Sequence, residues 1–359
     1  MAVRNKLDHP VLIGLLGVAG FLLPKPTASA IPSSTPAPQE ADKQPGRSDN
    51  GRNAARPTDI PPAGWWAILK RVAAQVSTDR VMTEAAGVTF FSLLAMFPAI
   101  AALISLYGLF ADPHSVSDHL AAMDGLLPGG GLDIIKEQVT SLTSGEPKKL
   151  GFGVLFGIAA SVWSANQGIK SLFDALNIVN DEKETRGFLH RTALTLAFTL
   201  GALLFIVLAL AAVVAVPAIL AFVGLGGVLD FILRFARWPV LLAAIGLFLA
   251  LIYRFGPSRK PAKWRWVSWG SAFAAVAWVI GSAGFSWYVS SFGSYNKTYG
   301  SLGAVIGFMT WIWISTIIIL IGGELNAEME HQTARDTTTG PEKPQGTRGA
   351  AKSDRTAAT

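Results

Sequence analysis

The chain has 359 residues, of which 51% are hydrophobic and 15% are charged. Soluble globular domains usually carry about 25% charged residues, so the composition argues against a soluble enzyme and favours a membrane protein. The formal charge of +6 does not indicate a nucleic-acid-binding protein, because the basic residues are distributed as membrane topology requires. We therefore predict membrane lipids, and no nucleic acid, as partners.

Metal and thiol chemistry are also excluded or disfavoured. The sequence contains no cysteine, which excludes disulfides, thiolate metal sites and a cysteine nucleophile. Its five histidines are scattered, with no i, i+4 pair of the kind that binds zinc from one helix. We predict no catalytic residues, no metal site and no cofactor.

The first 62 residues form an N-terminal extension. Residues 11–23 are apolar and follow Arg4 and Lys6, as in a signal peptide, yet cleavage would leave a Lys- and Arg-rich segment outside. Three interpretations stay open: a surface or abortive anchor, an extra span, and a cleaved or misassigned start. Residues 24–62 are rich in Pro, Ser and Ala and are predicted to be a disordered linker.

Two amphipathic segments accompany the membrane domain. The apolar face of the first, at residues 64–76, consists of Trp65, Ile68, Leu69, Val72 and Val76. Its other face carries Lys70 and Arg71, so the helix should lie at the inner interface against anionic lipid. The second, near residues 132–142, repeats apolar residues at helical spacing and should rest on the outer surface.

Six uncharged runs can each supply much or all of the roughly 20 apolar residues that a membrane-spanning helix needs. They are residues 85–111, 150–169, 192–229, 238–253, 267–295 and 302–323. With both termini inside, the inside segments hold 21 Lys and Arg and the outside segments six, which is the positive-inside pattern. The predicted fold class is all-α: a polytopic bundle of six transmembrane helices over residues 63–331, N-in and C-in, with amphipathic interfacial helices. Residues 332–359 are predicted to be a disordered cytoplasmic tail.

One polar stripe interrupts the second span. Asn166, Lys170, Asp174 and Asn177 share one face of the helix over roughly 16 Å. Lys170 and Asp174 are four residues apart and can pair. Because polar groups are costly in a bilayer, this stripe is the most specific signal that residue spacing provides.

The sixth span ends in acids, at Glu324 and Glu328, with Asn326 between them. The helix macrodipole disfavours acids at a C-terminus, and these two share a face and repel each other. A compensating cation is therefore expected. The candidates on the predicted cytoplasmic side are Lys170, Arg191 and Arg254. We predict a polar cluster at the cytoplasmic mouth, built from the second and sixth spans.

Three interpretations of this cluster stay open. The lysine could extend to the headgroups while the acids lie in water. The residues could instead form an ion-pair lock between helices, or line a solvated vestibule that binds or conducts something. The asparagines favour the last two, because a lysine that merely reaches the headgroups needs no polar neighbour.

Three stretches carry a resemblance to a known family. The first, residues 291–330, contains YNKTYGSLG and ends in GGELNAEME. Its loop-motif positions are Tyr295, Asn296, Tyr299, Gly300 and Gly303. The others are TFFSLLAMFPAIAALISLYG from residue 89 and VWSANQGIKSLFDALNIVNDEKETRGFLHR from residue 162. Over about residues 64–331 the chain resembles the YihY / virulence factor BrkB family.

The resemblance implies a multi-pass protein of the bacterial inner membrane, with six helices, both termini cytoplasmic and a role in envelope integrity. An older label for this family is ribonuclease BN. The residues argue against that label, because Glu324 and Glu328 alone cannot support two-metal hydrolysis.

Three functions remain. The first is a transporter or lipid/solute translocator with a cytoplasm-facing polar cavity, acting on a small solute or lipid. The second is a structural or partner-binding envelope protein without transport activity, with a second copy or another envelope protein as its partner. The third is a membrane-embedded enzyme, for which no acid, base and nucleophile set is visible. The sequence favours the first, and we predict that the chain is not an enzyme.

Overall fold

The computed structural model describes residues 50–110, 150–223, 228–291 and 301–357. The regular structure of these residues is helical, with a 3-10 turn at Pro57–Asp59. The helices are α1 (Pro62–Thr78), α2 (Val81–Phe110), α3 (Leu150–Val179), α4 (Phe188–Val223), α5 (Val228–Phe255), α6 (Trp264–Ser291) and α7 (Ser301–Gln332). The predictions for segment 11–23, for the linker up to residue 49 and for the external helix lie outside the described residues.

Four stretches of described helix are long and apolar enough to cross a membrane. They are Phe188–Ala209, Trp238–Phe255, Trp264–Ser290 and Val305–Gln332, with a shorter apolar stretch at Val81–Met96. The predicted runs at 85–111 and 150–169 largely coincide with α2 and α3, which have 30 residues each. The all-helical fold is thus confirmed, while six spans and their orientation stay predictions.

α7 is the central helix of the bundle. It packs against α1, α2, α3 and α6, while α2 also packs on α3 and α6 on α5. The inaccessible core is mostly apolar and includes Phe173, Leu176, Trp266, Leu320 and Met329. The outward faces of α4 and α6 are also apolar, with Leu208 59% exposed and Ile280 66% exposed. Lipid is the solvent that accepts such surfaces.

A contact between glycines lets α6 and α7 approach closely. A Cβ atom built on Gly270 would lie 2.2 Å from the carbonyl oxygen of Gly322. One built on Gly322 would lie 2.4 Å from the hydroxyl of Tyr253. That hydroxyl donates a hydrogen bond of 2.7 Å to the carbonyl oxygen of Ile319, which fixes α5 against α7 as well. Small residues at such crossings are typical of membrane helix pairs.

Irregular segments and α1 surround the C-terminal turns of α7. We call this region the cap: residues 50–61, α1 and the connections 180–187, 256–263 and 333–357. The amide of Gln332 donates to the carbonyl oxygen of Asn50 at 2.6 Å. The backbone N–H of Lys263 donates to the carbonyl oxygen of Thr337 at 2.8 Å. The two interhelical connections and the two chain segments therefore lie at the same end of the bundle.

The structure differs from the expectation of a disordered tail. Residues 333–357 contain no regular helix, yet Thr333, Thr337 and Ser353 are fully buried. The guanidinium of Arg348 donates to four backbone carbonyl groups, those of Ala334, Arg335, Lys343 and Ser353. Polar composition predicted disorder because it does not reveal which partners satisfy these groups. Likewise, the end of the predicted linker is packed, with Ala54 and Ile60 buried.

Candidate functional site

The last three turns of α7 bring four polar side chains into the interior of the cap. Glu324, Glu328, Glu330 and Gln332 are each no more than 5% exposed. Residues 324, 328 and 332 follow one another at i, i+4 spacing and share a face, whereas Glu330 points elsewhere. Because a buried carboxylate needs a partner, the surroundings of each acid decide what it can do.

Glu328 is held by cations from both sides. Its Oε2 atom accepts a hydrogen bond of 2.6 Å from Nε of Arg71, and its Oε1 atom accepts one of 2.9 Å from Nζ of Lys352. The ring of His331 lies 3.3 Å from the same carboxylate. Arg71 also donates to the side chain of Gln332 at 2.6 Å. Glu328 therefore joins α1 and the tail to α7.

Lys352 is shared between two acids. Its ammonium group lies 3.2 Å from the carboxylate of Asp181, in addition to its contact with Glu328. Burial by itself lowers the pKa of Lys352, but the carboxylates of Glu328 and Asp181 outweigh this effect and raise it above its usual value. Lys352 is consequently held in its charged form by the two acids of the cap that it contacts.

Glu330 forms a separate ion pair. Arg259 donates to its two carboxylate oxygens, at 3.0 and 2.7 Å, and the side chains are 2% and 0% exposed. The hydroxyl of Thr337 adds a hydrogen bond of 2.6 Å. This bidentate geometry is the one in which a buried pair best offsets its desolvation.

Glu324 stands apart from these pairs. It is fully buried, and neither of its carboxylate oxygens accepts a hydrogen bond from any described residue. Its electrostatic surroundings include the carboxyl group of Asp79, the ammonium group of Lys352 and the carboxylate of Glu328. Asp79 is half-buried and has an unpartnered buried oxygen of its own. Two carboxyl groups can bond to each other only when a proton or a cation lies between them.

The turn between α1 and α2 brings Asp79 to this position. Asp79 caps the C-terminus of α1, and Arg80 follows it with a φ of +51°. The left-handed conformation is uncommon for a residue other than glycine and often marks a constrained site. Only Asp79 and Arg80 separate α1 from α2, which begins at Val81.

The predicted stripe on α3 does not form one cluster. Asn166 is buried, and its side-chain oxygen has no partner among the described residues. The predicted pair of Lys170 with Asp174 is replaced: Asp174 accepts two hydrogen bonds of 2.7 Å from Arg191. The ammonium group of Lys170 lies over the rings of Trp163 and Phe188, at 5.5 and 5.9 Å.

The two predicted asparagines nearest the cap act as braces. The side-chain oxygen of Asn177 accepts a hydrogen bond of 2.6 Å from the backbone N–H of Ser258, and its amide donates to Glu184 at 3.3 Å. The side-chain oxygen of Asn326 accepts a hydrogen bond of 2.9 Å from the backbone N–H of Gly270. Each asparagine thus fixes one helix to a neighbouring segment.

Lys170 also lies at a different level of the bundle from Glu324. A Cβ atom on Gly323 would lie 3.0 Å from the side chain of Leu176 and 3.4 Å from that of Val179. Glu324 therefore lies beside the last turn of α3, and Lys170 lies at least about 9 Å further along that helix. The cations that compensate Glu328 are Arg71 and Lys352, not the three predicted candidates.

Arg71 could have been identified from the sequence. At 100° per residue it lies 60° from Ile68, the centre of the buried face of α1, whereas Lys70 lies 160° away. The prediction placed Lys70 and Arg71 together on one polar face and did not take account of their different angles from Ile68. Lys352 and Arg259 lie in irregular segments, where no periodicity indicates their direction. Of the loop-motif positions, Gly303 lies in the first turn of α7, and Tyr295, Asn296, Tyr299 and Gly300 lie outside the described residues.

A family model described as virulence factor BrkB matches residues 72–347. The chain belongs to this family. The match continues beyond α7 into the cap, which agrees with a tail that is part of the fold. The resemblance inferred from the three sequence stretches is thereby confirmed.

Several relatives align with this chain over most of their own length. A protein of Bacillus subtilis named as ribonuclease-like, YfkH, is 30% identical over 265 residues, covering 73% of this chain and 94% of YfkH. The UPF0761 membrane protein MS0032 of Mannheimia succiniciproducens is 27% identical over 252 residues, covering 68% and 84%. A UPF0761 membrane protein of Vibrio campbellii is 26% identical over 269 residues, covering 74% and 82%. No solved structure gives a significant match.

These names agree with the apolar helices: the BrkB-family chain is a membrane protein. The name of YfkH raises the question of metal-dependent hydrolysis. Within the described residues, no three His, Asp or Glu side chains come together in a group that could hold a metal ion. Glu328 and Glu330 are both occupied by basic side chains, which compete with any metal.

Proposed function

We propose that this BrkB-family protein is a translocator of a small solute or lipid in the bacterial inner membrane, and that it is not an enzyme. The observation that carries the proposal is Glu324, a fully buried carboxyl group without a hydrogen-bond partner among the described residues. An ionisable group of this kind is costly within a membrane helix, and such groups typically mark ion or substrate pathways. Glu330, in contrast, is paired with Arg259 and is not a buried carboxyl group without a partner.

Asp79 gives the proposed pathway its direction. It interacts with Glu324 and is itself half-buried, so it connects the buried site with the edge of the cap. A proton or monovalent cation held between the two carboxyl groups would be released when the cap moves. In this proposal the polar cavity faces the cap, and Asn166 extends it along α3.

The proposal includes a topology of six spans with the cap in the cytoplasm. Support comes from the connections 180–187 and 256–263, which lie at the same end as the described N-terminal and C-terminal segments. These segments are rich in Lys and Arg, as the positive-inside rule requires of cytoplasmic loops. The apolar face of α1 is turned toward α7, and Trp66, 61% exposed, would reach the membrane surface.

A second candidate is a structural or partner-binding envelope protein. The cap favours this candidate, because its buried ion pairs hold α1, the tail and the interhelical connections to α7. In that case Glu324 would be neutral and inert, and a second copy or another envelope protein would be the partner.

Cysteine accessibility separates the two candidates, since the chain contains no native cysteine. Single cysteines at 79, 324 and 326 are exposed in proteoliposomes to a membrane-impermeant maleimide from the cap side. The translocator requires labelling at 79 and 324, with 326, which braces α6, as the unlabelled control. Labelling at 79 alone contradicts an aqueous pathway.

Transport is measured in the same proteoliposomes, with an enclosed pH-sensitive dye and fluorescent derivatives of envelope phospholipids. We expect flux of protons or of labelled lipid above that of protein-free vesicles, and its loss in Glu324→Gln. Glu342→Gln, at an exposed position of the tail, is the matched control. Wild-type vesicles that remain as silent as protein-free ones favour the second candidate.

A further inference from the structure

A groove between α5 and α6 takes no part in the cap or in the proposed pathway. It has a volume of about 580 Å³ and opens toward the surface of the bundle that lipid covers. Small residues line it, among them the exposed Ala243 and the more buried Gly246 and Ala275. Leu247 and Val276 stand at its sides and are 59% and 47% exposed. The groove is therefore an apolar trough open to the bilayer.

The close approach of the two helices explains the shape of this trough. A Cβ atom on Gly246 would lie 3.9 Å from that of Ala275, an ordinary van der Waals contact. Among the described residues, no larger side chain fills the space above this contact. A flexible hydrocarbon chain has the width and the polarity that such a trough accepts.

The length of the groove matches one leaflet. On α6 its lining runs from Trp264 to Val276, about 18 Å at 1.5 Å per residue. Half of a hydrocarbon core of about 30 Å is about 15 Å. α5 ends and α6 begins at the cap, so the groove covers the leaflet on the cap side.

The cap-side end of the groove carries a positive charge. Arg265 lines the groove there, is exposed, and forms no ion pair with the described residues. Trp264 lies beside it and is fixed by Arg254, whose guanidinium lies 4.4 Å from the centre of the indole ring. Arg254 itself donates to the carbonyl oxygen of Ala262 at 2.6 Å. An aromatic wall and a free cation occupy the level of the lipid headgroups.

We propose that this groove binds one anionic glycerophospholipid of the cap-side leaflet, with an acyl chain between α5 and α6 and the phosphate group at Arg265. The occupant follows from the combination of an apolar trough of leaflet length with an unpaired cation at its headgroup end. A neutral chain would leave Arg265 uncompensated, and a soluble anion would not fill the trough. The inference is independent of transport, since a retained lipid can serve a static protein equally well.

Native mass spectrometry of the full chain tests this proposal. The detergent-solubilised protein is incubated with equal amounts of phosphatidylglycerol and phosphatidylethanolamine. We expect one retained phosphatidylglycerol, a preference about fivefold lower in Arg265→Gln, and recovery in Arg265→Lys. Lys260→Gln, which removes an exposed charge at the same end but outside the groove, should leave the preference unchanged.

A second pair of variants tests the trough itself. Ala243→Phe fills it from an exposed position and should reduce retention of both lipids, whereas Val240→Phe, on the same helix and outside the lining, should not. Equal retention by all variants means an unspecific lipid shell and overturns the proposal. A dimer that Ala243→Phe converts to a monomer also overturns it, because a second copy would then occupy the groove.

Discussion

The cap buries charged side chains, whereas the outward-facing surface of α4, α5 and α6, which we call the belt, exposes apolar ones. The belt exposes large apolar side chains such as Leu208 and Ile280, because lipid accepts them. The cap buries acids such as Glu328 and Glu330, and it can do so only because each has a cation within 3 Å. The belt is therefore specified by composition alone, whereas the cap is specified by individual partners.

The largest effect should come from breaking a fully buried pair of the cap. Glu330→Gln leaves Arg259 without its counter-charge, so we expect a loss of about 3–5 kcal/mol in the free energy of unfolding. Thermal unfolding in detergent, followed by tryptophan fluorescence, measures this loss. Glu342→Gln, at an exposed site, is the control.

The double variant Arg259→Met with Glu330→Met sharpens this test. Replacing both partners by apolar side chains removes the uncompensated charge and should restore most of the stability. If the free energy of unfolding of Glu330→Gln lies within about 1 kcal/mol of the wild-type value, water reaches the pair and the prediction is wrong.

Close packing in the bundle should be the next most sensitive property. Gly322→Ala places a Cβ atom 2.4 Å from the hydroxyl of Tyr253 and 2.8 Å from Ala274, so we expect a loss of about 1–3 kcal/mol. Gly284→Ala, also within a helix, meets no atom within 4 Å and should be neutral or stabilising. Equal melting temperatures for the two variants would contradict the close approach of α6 and α7.

Acid should weaken the cap at the connection between α3 and α4. Bidentate hydrogen bonds from Arg186 lower the pKa of Glu184 from 4.5 to about 2. The carboxylate therefore stabilises the fold fully above about pH 4.5, and this contribution is lost as the pH falls toward 2. Allowing for partial solvent screening, we expect about 1–2 kcal/mol.

A pH titration of the unfolding temperature detects this contribution. Glu184→Gln should be less stable than the wild type at neutral pH, and the difference should shrink between pH 4.5 and 2. A constant difference over this range would assign the effect of the variant to its shape and not to its charge.

The smallest effect is expected at a partly exposed ion pair between α3 and α4. Asp174 and Arg191 are 49% and 27% exposed, and Arg191 also lies 3.8 Å from Glu184. Asp174→Asn should therefore cost less than about 1 kcal/mol. A double-mutant cycle with Arg191→Gln measures the coupling, and a value as large as that of Glu330 and Arg259 would abolish the contrast with the buried pair.

The sequence predicted the belt well and the cap poorly, for a physical reason. Hydropathy depends on the residues of one segment, so four of the six predicted runs coincide with helices long and apolar enough to span a membrane. The helical spacing of the α3 stripe predicts four residues on one face, but it contains no information on what lies opposite. Asp174 pairs with Arg191, and Asn177 accepts a hydrogen bond from Ser258. Both contacts depend on tertiary packing.

Glu324 and Glu328 show the same limit within one helix. Their position at the C-terminal end of α7 predicted a compensating cation for both acids, and the structure provides one for Glu328 but none for Glu324 among the described residues. Arg71 and Lys352, which compensate Glu328, belong to segments taken as a lipid-facing surface and a disordered tail. For Glu324 no cation lies within ion-pair distance among the described residues, and the sequence does not distinguish this acid from its neighbour one turn away.

The sharing of Glu328 has a further consequence. Arg71 on α1 and Lys352 on the tail are distant in sequence but rest on the same carboxylate. Detaching either segment leaves the other facing a less compensated acid and a newly hydrated interior, so we expect their local unfolding to be cooperative. In hydrogen exchange the amides of α1 and of the tail should open as one unit. A ligand or protein that binds one of these segments is therefore expected to change the stability of the other.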